Sequence, residues 1–525
     1  MLLFTAAPGA RGLLPIQPPL HQPADPMHFS NTCLCSQDTL LSPVETEDLV
    51  TPYSDVSTRK RLGKSSFLYK QKQTNTNGGE GTKTAVASAK DLRQLAEQHY
   101  GKTIGSSQYK KAWTRWLYLA VESIREDLGT FLLQDESNNP NGGEEEDVTA
   151  AFEKLFFDLG VAADVGTMPS FESAAARKGY ALELFCRGRA LAEFLLETPL
   201  SARKDSENDT EDRHVDDDER EIYPGFWTRA LRSPECSILT ASPSESCQPI
   251  AQSSHPFNYE IVSLGGGPGF DFVGVAMAAA FSFHTSSGTA GASAPKCDIH
   301  VTAMDYEEGW SDLVSAMDQS TRNLLTPSID DESHSTWNLP AMSCDWGGRC
   351  DITKSILDEP VNANCKRLLL GDGDHQSASK LWICQYCVAE NAKALRESDY
   401  VFFKELFREM PKGTLVLLTE VVPRLWPEMV RMLDKEGILP WVDVGFRKGY
   451  CGKQFLLKKR VTRRPANDEA QGPFDSLDAR TRDQLEHFER LASYHERKVD
   501  SGWKRQGRKA NGSTYHEEQL ARRRN

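Results

Sequence analysis

A chain of 525 residues, 39% of them hydrophobic, is long enough for two or more domains and a sizeable core. Its formal net charge of −14 excludes a generally cationic coat for nucleic acid, while leaving room for a local basic patch. No run approaches the roughly 18 apolar residues needed to cross a bilayer, so no membrane partner is expected, and twelve scattered cysteines without framework spacing predict reduced thiols in an intracellular compartment, cytoplasm or nucleus.

Met1-Leu-Leu-Phe-Thr-Ala-Ala7 is too short an apolar run for a secretory segment and leaves only a weak organelle-targeting signal. Residues 1–88 are rich in Pro, Ser, Thr, Gln and Asn and show no sustained period, which predicts a mostly disordered segment. A helical region follows over 89–232. Trp113, Trp116, Leu117, Ala120, Ile124, Leu128 and Phe131 recur at three- and four-residue steps, and Ala174, Ala181, Leu184, Phe185, Leu191 and Leu195 continue the pattern over Ser170 to Leu196. An acidic, glycine-bearing link, Asn138 to Asp147, divides these core helices, with a short helix near Val148 to Leu159. Asp216-Asp-Asp-Glu219 reads as a solvated acidic loop, and Tyr223 to Arg229 as a packing anchor or part of a substrate pocket.

The stretch from Tyr259 to Gly274 carries the chemistry. Tyr259 to Leu264 suits a strand covered on both faces, and Asp271 to Phe283 is apolar, alanine-rich and long enough for a helix. Between them stand Gly265, Gly266, Gly267 and Gly269, able to turn sharply and to offer bare peptide N–H groups at a helix N-terminus. The dinucleotide spacing G-x-G-x-x-G fails in both frames, because Phe270 or Phe272 falls where the third glycine belongs. A phosphate-cradling P-loop is absent too. The remaining pattern, G-x-G-x-G with Pro268-Gly269, resembles motif I of the class I S-adenosylmethionine-dependent methyltransferases; an ordinary tight turn is the plainer alternative.

One unit later, Asp298 to Asp305 is a strand-like run ending in an acid, placed where a ribose would offer both hydroxyls. Asp305 is the leading cofactor-binding candidate, against a plain helix N-cap. The Ser/Thr/Gly/Ala-rich insertion His284 to Lys296 accounts for its distance from the glycines. A third strand is poorly marked. After it the resemblance implies that Asp351 accepts from the adenine amino group, unless Asp351 or Thr353 only caps a helix.

Leu381 to Asn391 matches the fourth strand and its exit turn, the place where the family faces methyl group and acceptor. Tyr386, Glu390 and Asn391 are the catalytic candidates here, Glu390 as a general base or merely a helix cap. Cys384-Gln-Tyr-Cys387 lies in an apolar run without a second ligand pair, so buried free thiols are favoured over a metal site, and no metal is expected. A helix over Asp399 to Met410, Pro411-Lys-Gly413 and the buried strand Thr414 to Glu420 resemble the family's fifth unit. Trp441 to Phe446 and Gln454 to Lys458 suit a closing antiparallel pair.

The predicted fold is thus α/β, a Rossmann-like, mostly parallel seven-stranded sheet over 255–460 with a helical region ahead of it. Residues 461–525 form a basic, partly helical or disordered tail containing Lys504-Arg505, Arg508-Lys509 and Arg522 to Arg524; such tails suit RNA as a partner, a nuclear address, or neither. The resemblance implies methyl transfer from S-adenosylmethionine to an acceptor that the sequence does not name. One departure stands out: Ser263 occupies the position where many members carry an acid, and Asp271 is the nearest substitute. An inactive, methyltransferase-like scaffold and a nucleotide-dependent oxidoreductase remain as alternatives.

Overall fold

The computed structural model describes residues 87–97, 107–134, 147–165, 169–196, 257–286, 297–325, 341–371, 381–421, 423–448, 453–460, 462–463 and 477–493. Five helices come first: α1 (Ala89–Glu97), α2 (Ser107–Gln134), α3 (Val148–Val165), α4 (Ala174–Glu183) and α5 (Cys186–Leu196). Then come β1 (Phe257–Leu264), α6 (Phe270–Ser286), β2 (Cys297–Asp305), α7 (Ser311–Leu325), β3 (Ala341–Arg349), α8 (Ala363–Leu370) and β4 (Leu381–Gln385). The chain continues through α9 (Ala392–Glu397), α10 (Val401–Glu409), β5 (Leu415–Glu420), α11 (Trp426–Lys435), β6 (Val442–Lys448) and β7 (Lys453–Lys459), with a last helix, α12, over 479–493.

The seven strands form one sheet in the order β3-β2-β1-β4-β5-β7-β6, parallel except for β7, which runs antiparallel to both β5 and β6. This is the Rossmann-like, mostly parallel architecture that the sequence predicted, closing antiparallel pair included. The order reverses between β1 and β4, so their carboxyl ends open the crevice in which such sheets bind ligands. Side chains alternate across the sheet. Ile261, Ile299, Val301 and Leu417 join a core with α2, α5, α6 and α7, whereas Val262, Leu264, Trp382 and Leu418 join a second core with α10, α11 and α12.

Helix α6 is buried from Phe270 to Phe281 on every side. A helix that is apolar all round needs neighbours all round; the sheet supplies one side and α2, α5 and α7 the others. Its contact with α5 is close, set by glycine against glycine. A Cβ at Gly274 would stand 2.6 Å from the Gly188 carbonyl oxygen and 2.9 Å from Leu191 Cβ, and one at Gly188 would stand 2.8 Å from the Phe270 carbonyl oxygen.

Two sequence expectations are revised. Phe131 is 60% exposed, and Leu128 and Leu132 carry the buried face of α2 at that point. The helical stretch Ser170 to Leu196 is two helices, broken at Leu184 and Phe185. In the tail, Leu477, Leu485 and Phe488 are buried in the second core, with Phe488 edge-on to Phe446, so this part is docked helix. The acidic run at 216–219, the segment 223–229 and the basic residues 504–524 lie outside the described residues.

The Gly274 contact gives a prediction of definite sign. In an open helix Gly→Ala gains about 1 kcal/mol, but here the new methyl meets a backbone oxygen that cannot step aside. Gly274→Ala is expected to lose about 1–3 kcal/mol by overpacking, read as a lower urea midpoint; an unchanged or raised midpoint contradicts the close packing.

Candidate functional site

The glycine turn follows β1 at the switch point. Gly265, Gly267 and Gly269 have φ of +61, +50 and +97°, conformations that L side chains rarely adopt. Packing adds its own demand below the turn: a Cβ at Gly265 would strike Cys387 Sγ, and one at Gly266 would strike Ser263 Oγ. Over Gly267 and Gly269 the contacts are ordinary ones: the nearest atoms to an added Cβ are 3.7 Å away, on Tyr180 and Met317. The turn is therefore a buried run of glycine backbone, pressed by Cys387 and Ser263 on one side and bordered by Tyr180 and Met317 on the other.

Asp305 ends β2 beside this cradle. One carboxylate oxygen accepts from the Gly267 N–H at 3.0 Å and the other from the Glu307 N–H at 3.1 Å. The Gly266 N–H donates to the Met304 carbonyl at 3.1 Å, which ties the turn to the same strand end. Burial pushes the Asp305 carboxyl up to about 6, opposed by the amides of Glu307, Gly267 and Tyr306.

Ser263 and Asp271 meet beneath the turn. The Ser263 hydroxyl donates to one Asp271 oxygen at 2.6 Å, and Gln385 Nε2 donates to the other. Asp271, in the first turn of α6, is only 2% exposed, and burial raises its pKa against the two hydrogen bonds. The acid missing at 263 thus stands next door on the helix, but both its oxygens are engaged within the protein.

Asp351 lies just past β3, after Cys350, whose N–H donates to the Asp305 carbonyl at 2.8 Å. One Asp351 oxygen accepts from the Thr353 N–H at 2.9 Å and the Thr353 hydroxyl at 2.6 Å, a local turn of the capping kind. Buried Asn362 pins that turn from α8's N-terminus, accepting from the Asp351 N–H at 2.9 Å and donating to the Asp351 carbonyl at 3.0 Å.

At the exit of β4, Tyr386 takes a φ of +61°, rare for a bulky residue, with its N–H held by the Thr419 carbonyl at 2.7 Å. Its ring lies under the guanidinium of Arg187, 4.5 Å from Cζ to centroid, and the Tyr180 ring flanks the same guanidinium at 5.0 Å. Tyr180 also hydrogen-bonds Arg187 through its hydroxyl and packs with Phe171, Phe270 and Trp310 at centroid separations of 5.4–5.9 Å. Glu390, half-buried, faces this group; burial pushes its carboxyl up to about 8, Arg187 pulling down and Glu420 and Asp305 pushing up. Glu420 ends β5, 3% exposed, and accepts from the Ala389 N–H at 2.9 Å; burial raises it to about 7. The Asn391 amide is turned away and donates to the Cys387 carbonyl at 2.8 Å.

The fold therefore brings the glycines, Asp305, Tyr386 and Glu390 together, and leaves Asp351 and Asn391 in local turns at the margin. Sequence reasoning did not single out Tyr180, Arg187 and Glu420. Glu420 had a signal, an acid ending a buried strand as Asp305 does. Cys384 is a buried free thiol and Cys387 a half-buried one, its Sγ 3.5 Å from the Gly265 carbonyl oxygen.

A mostly parallel, doubly covered sheet with a glycine turn at the switch point and an acid closing the second strand defines a Rossmann-like fold. No known family profile matches the chain, and no curated protein does. Solved structures do. One is an S-adenosylmethionine-dependent methyltransferase from Methanosarcina mazei, 12% identical, covering 42% of this chain and 100% of its own with a TM-score of 0.24. A ribosomal protein L11 methylase from Lactobacillus delbrueckii is 8% identical over 40% of this chain and 72% of its own, at 0.20. Human methyltransferase-like protein 13, in complex with S-adenosylhomocysteine, is 14% identical over 45% and 83%, at 0.19. The fold assignment rests on strand order and not on these scores.

The three raised carboxyls make stability depend on pH. Each has a folded pKa above its ordinary value, so the folded chain holds more protons than the unfolded chain between about pH 4 and pH 8. Stability is then greatest at the acid end of that window and falls as pH rises through about 6, 7 and 8. Glu390→Gln and Glu420→Gln should each flatten the fall in melting temperature between pH 5 and pH 8.5; an undiminished slope in both variants contradicts the assignment.

Proposed function

We propose that this chain is an S-adenosylmethionine-dependent methyltransferase. The observation that carries the reading is the Asp305 carboxylate held against the Gly267 N–H at the switch point, beside glycines whose positive φ forms the turn. A glycine turn with that acid beside it fits an adenosyl ligand: the carboxylate takes the ribose hydroxyls, and the turn takes the chain running from the sugar. Asp351 would accept from the adenine amino group at the margin of the same crevice. When bound, S-adenosylmethionine supplies an electrophilic methyl group. The chain's part is to align it with a nucleophile, and such positioning is worth about 7–11 kcal/mol.

Tyr386 and Glu390 stand where the acceptor would enter. Glu390 takes the acceptor's proton, Tyr386 walls the approach, and Asn391 holds the exit turn in shape through the Cys387 carbonyl. RNA is one acceptor to try, on the strength of the basic residues at 504–524.

Calorimetric titration with S-adenosylmethionine, S-adenosylhomocysteine and NAD tests the cofactor. Saturable binding of the two adenosyl compounds and not NAD is expected, weakened at least roughly 10-fold in Asp305→Ala, as for loss of hydrogen bonds to a charged group. Binding of NAD alone transfers the site to a nicotinamide cofactor, and binding of none leaves the scaffold reading. For the chemistry, transfer of labelled methyl to acceptors in a cell extract should rise with pH through about 8, where Glu390 becomes carboxylate. Glu390→Gln should lower it roughly 100-fold or more; a rate that ignores both pH and the substitution removes Glu390 as the base.

A further inference from the structure

The amino-acid end of an adenosyl ligand includes a carboxylate, which calls for a cation, and the groups around the glycine turn on the sheet offer none. Ser263 is neutral, and Asp271 is buried with both oxygens engaged by Ser263 and Gln385. The nearest suitable group comes from outside the sheet. Arg187 opens the second turn-bearing segment of the helical region, on α5, and reaches the site because Gly188 lets α5 settle onto α6. Its guanidinium is fixed between the rings of Tyr180 and Tyr386, at 5.0 and 4.5 Å. The Tyr180 ring in turn borders the glycine turn, being the nearest group to a Cβ added at Gly267, at 3.7 Å.

Among the described residues the Arg187 guanidinium makes one hydrogen bond, to the Tyr180 hydroxyl. A guanidinium carries five N–H donors in a planar fork, so most of that fork is unspent. Its charge is compensated from a distance by Glu390, Glu420 and Asp271, each of which feels it electrostatically. A rigidly stacked, half-buried guanidinium with free donors beside an adenosyl cradle matches a planar, two-oxygen anion.

We propose that Arg187 binds the carboxylate of the cofactor's amino-acid end through a two-point contact, so that the helical region completes the cofactor site. This inference rests on the reading that the crevice takes S-adenosylmethionine. Tyr180 and Tyr386 are positioning residues in it: they set the plane of the fork.

The test compares two ligands that share the adenosyl group and differ at the amino-acid end, S-adenosylhomocysteine and 5′-methylthioadenosine. Each is titrated calorimetrically into the full chain and into Arg187→Ala and Arg187→Lys. The wild type is expected to prefer S-adenosylhomocysteine. Arg187→Ala should weaken S-adenosylhomocysteine roughly 10- to 100-fold, the loss of charge-assisted hydrogen bonds, and methylthioadenosine by less than about 2-fold. Arg187→Lys, which keeps the charge and loses the fork, should fall between; it also serves alone if the alanine variant does not fold. Equal weakening of both ligands shows that Arg187 only supports the fold and overturns the proposal, as does undiminished binding of S-adenosylhomocysteine. Failure of the wild type to bind either ligand overturns the cofactor reading itself, and this inference with it.

Discussion

The full burial of α6 is the constraint on which the other arrangements depend. A helix over Phe270–Ser286 that presents apolar side chains on all sides cannot lie on a sheet with its back to water. It must be roofed, and the roof here is α2, α5 and α7. Glycines at 188 and 274 then let α5 approach within backbone contact. Once α5 is that close, Arg187 and Tyr180 are carried over the glycine turn, and the turn becomes a site with a floor from the sheet and a wall from the helical region.

Charge follows from the same geometry. Strand ends at the switch point converge, so acids that finish strands are brought together: Asp305 from β2 and Glu420 from β5, with Glu390 just beyond β4. Packed near one another and away from water they resist ionisation, which raises all three. Arg187 lies in the middle of this group. Its cation lowers Glu390 and Glu420, and its stacking on Tyr386 is held by a backbone conformation that Tyr386 would not choose unaided.

Much of this architecture was legible in the sequence. Four glycines in five residues between a two-sided strand and an alanine-rich helix mark the strand, turn and helix, and an acid ending the next strand singled out Asp305. The closing antiparallel pair was legible from its composition. β3 was not: Ala-Met-Ser-Cys-Asp-Trp-Gly-Gly-Arg has no β-branched residue, because it is an edge strand with Cys344 as its one fully buried side chain. Arg187 was illegible for a different reason. On an amphipathic helix an arginine reads as solvent-facing, and the residues that claim it, Tyr386 and Glu390, lie about two hundred positions downstream. Asp351 and Asn391 were plausible by position alone; their side chains have local partners that only three dimensions reveal.

The account's central claim is that the helical region and the sheet build one cofactor site between them. Amide hydrogen exchange with and without S-adenosylhomocysteine measures this most directly. The account predicts that ligand slows exchange in two separate stretches together, the turn at 265–269 and the α4–α5 segment at 180–190, with the same dependence on ligand concentration. Protection confined to the turn, with 180–190 exchanging as before, would contradict it.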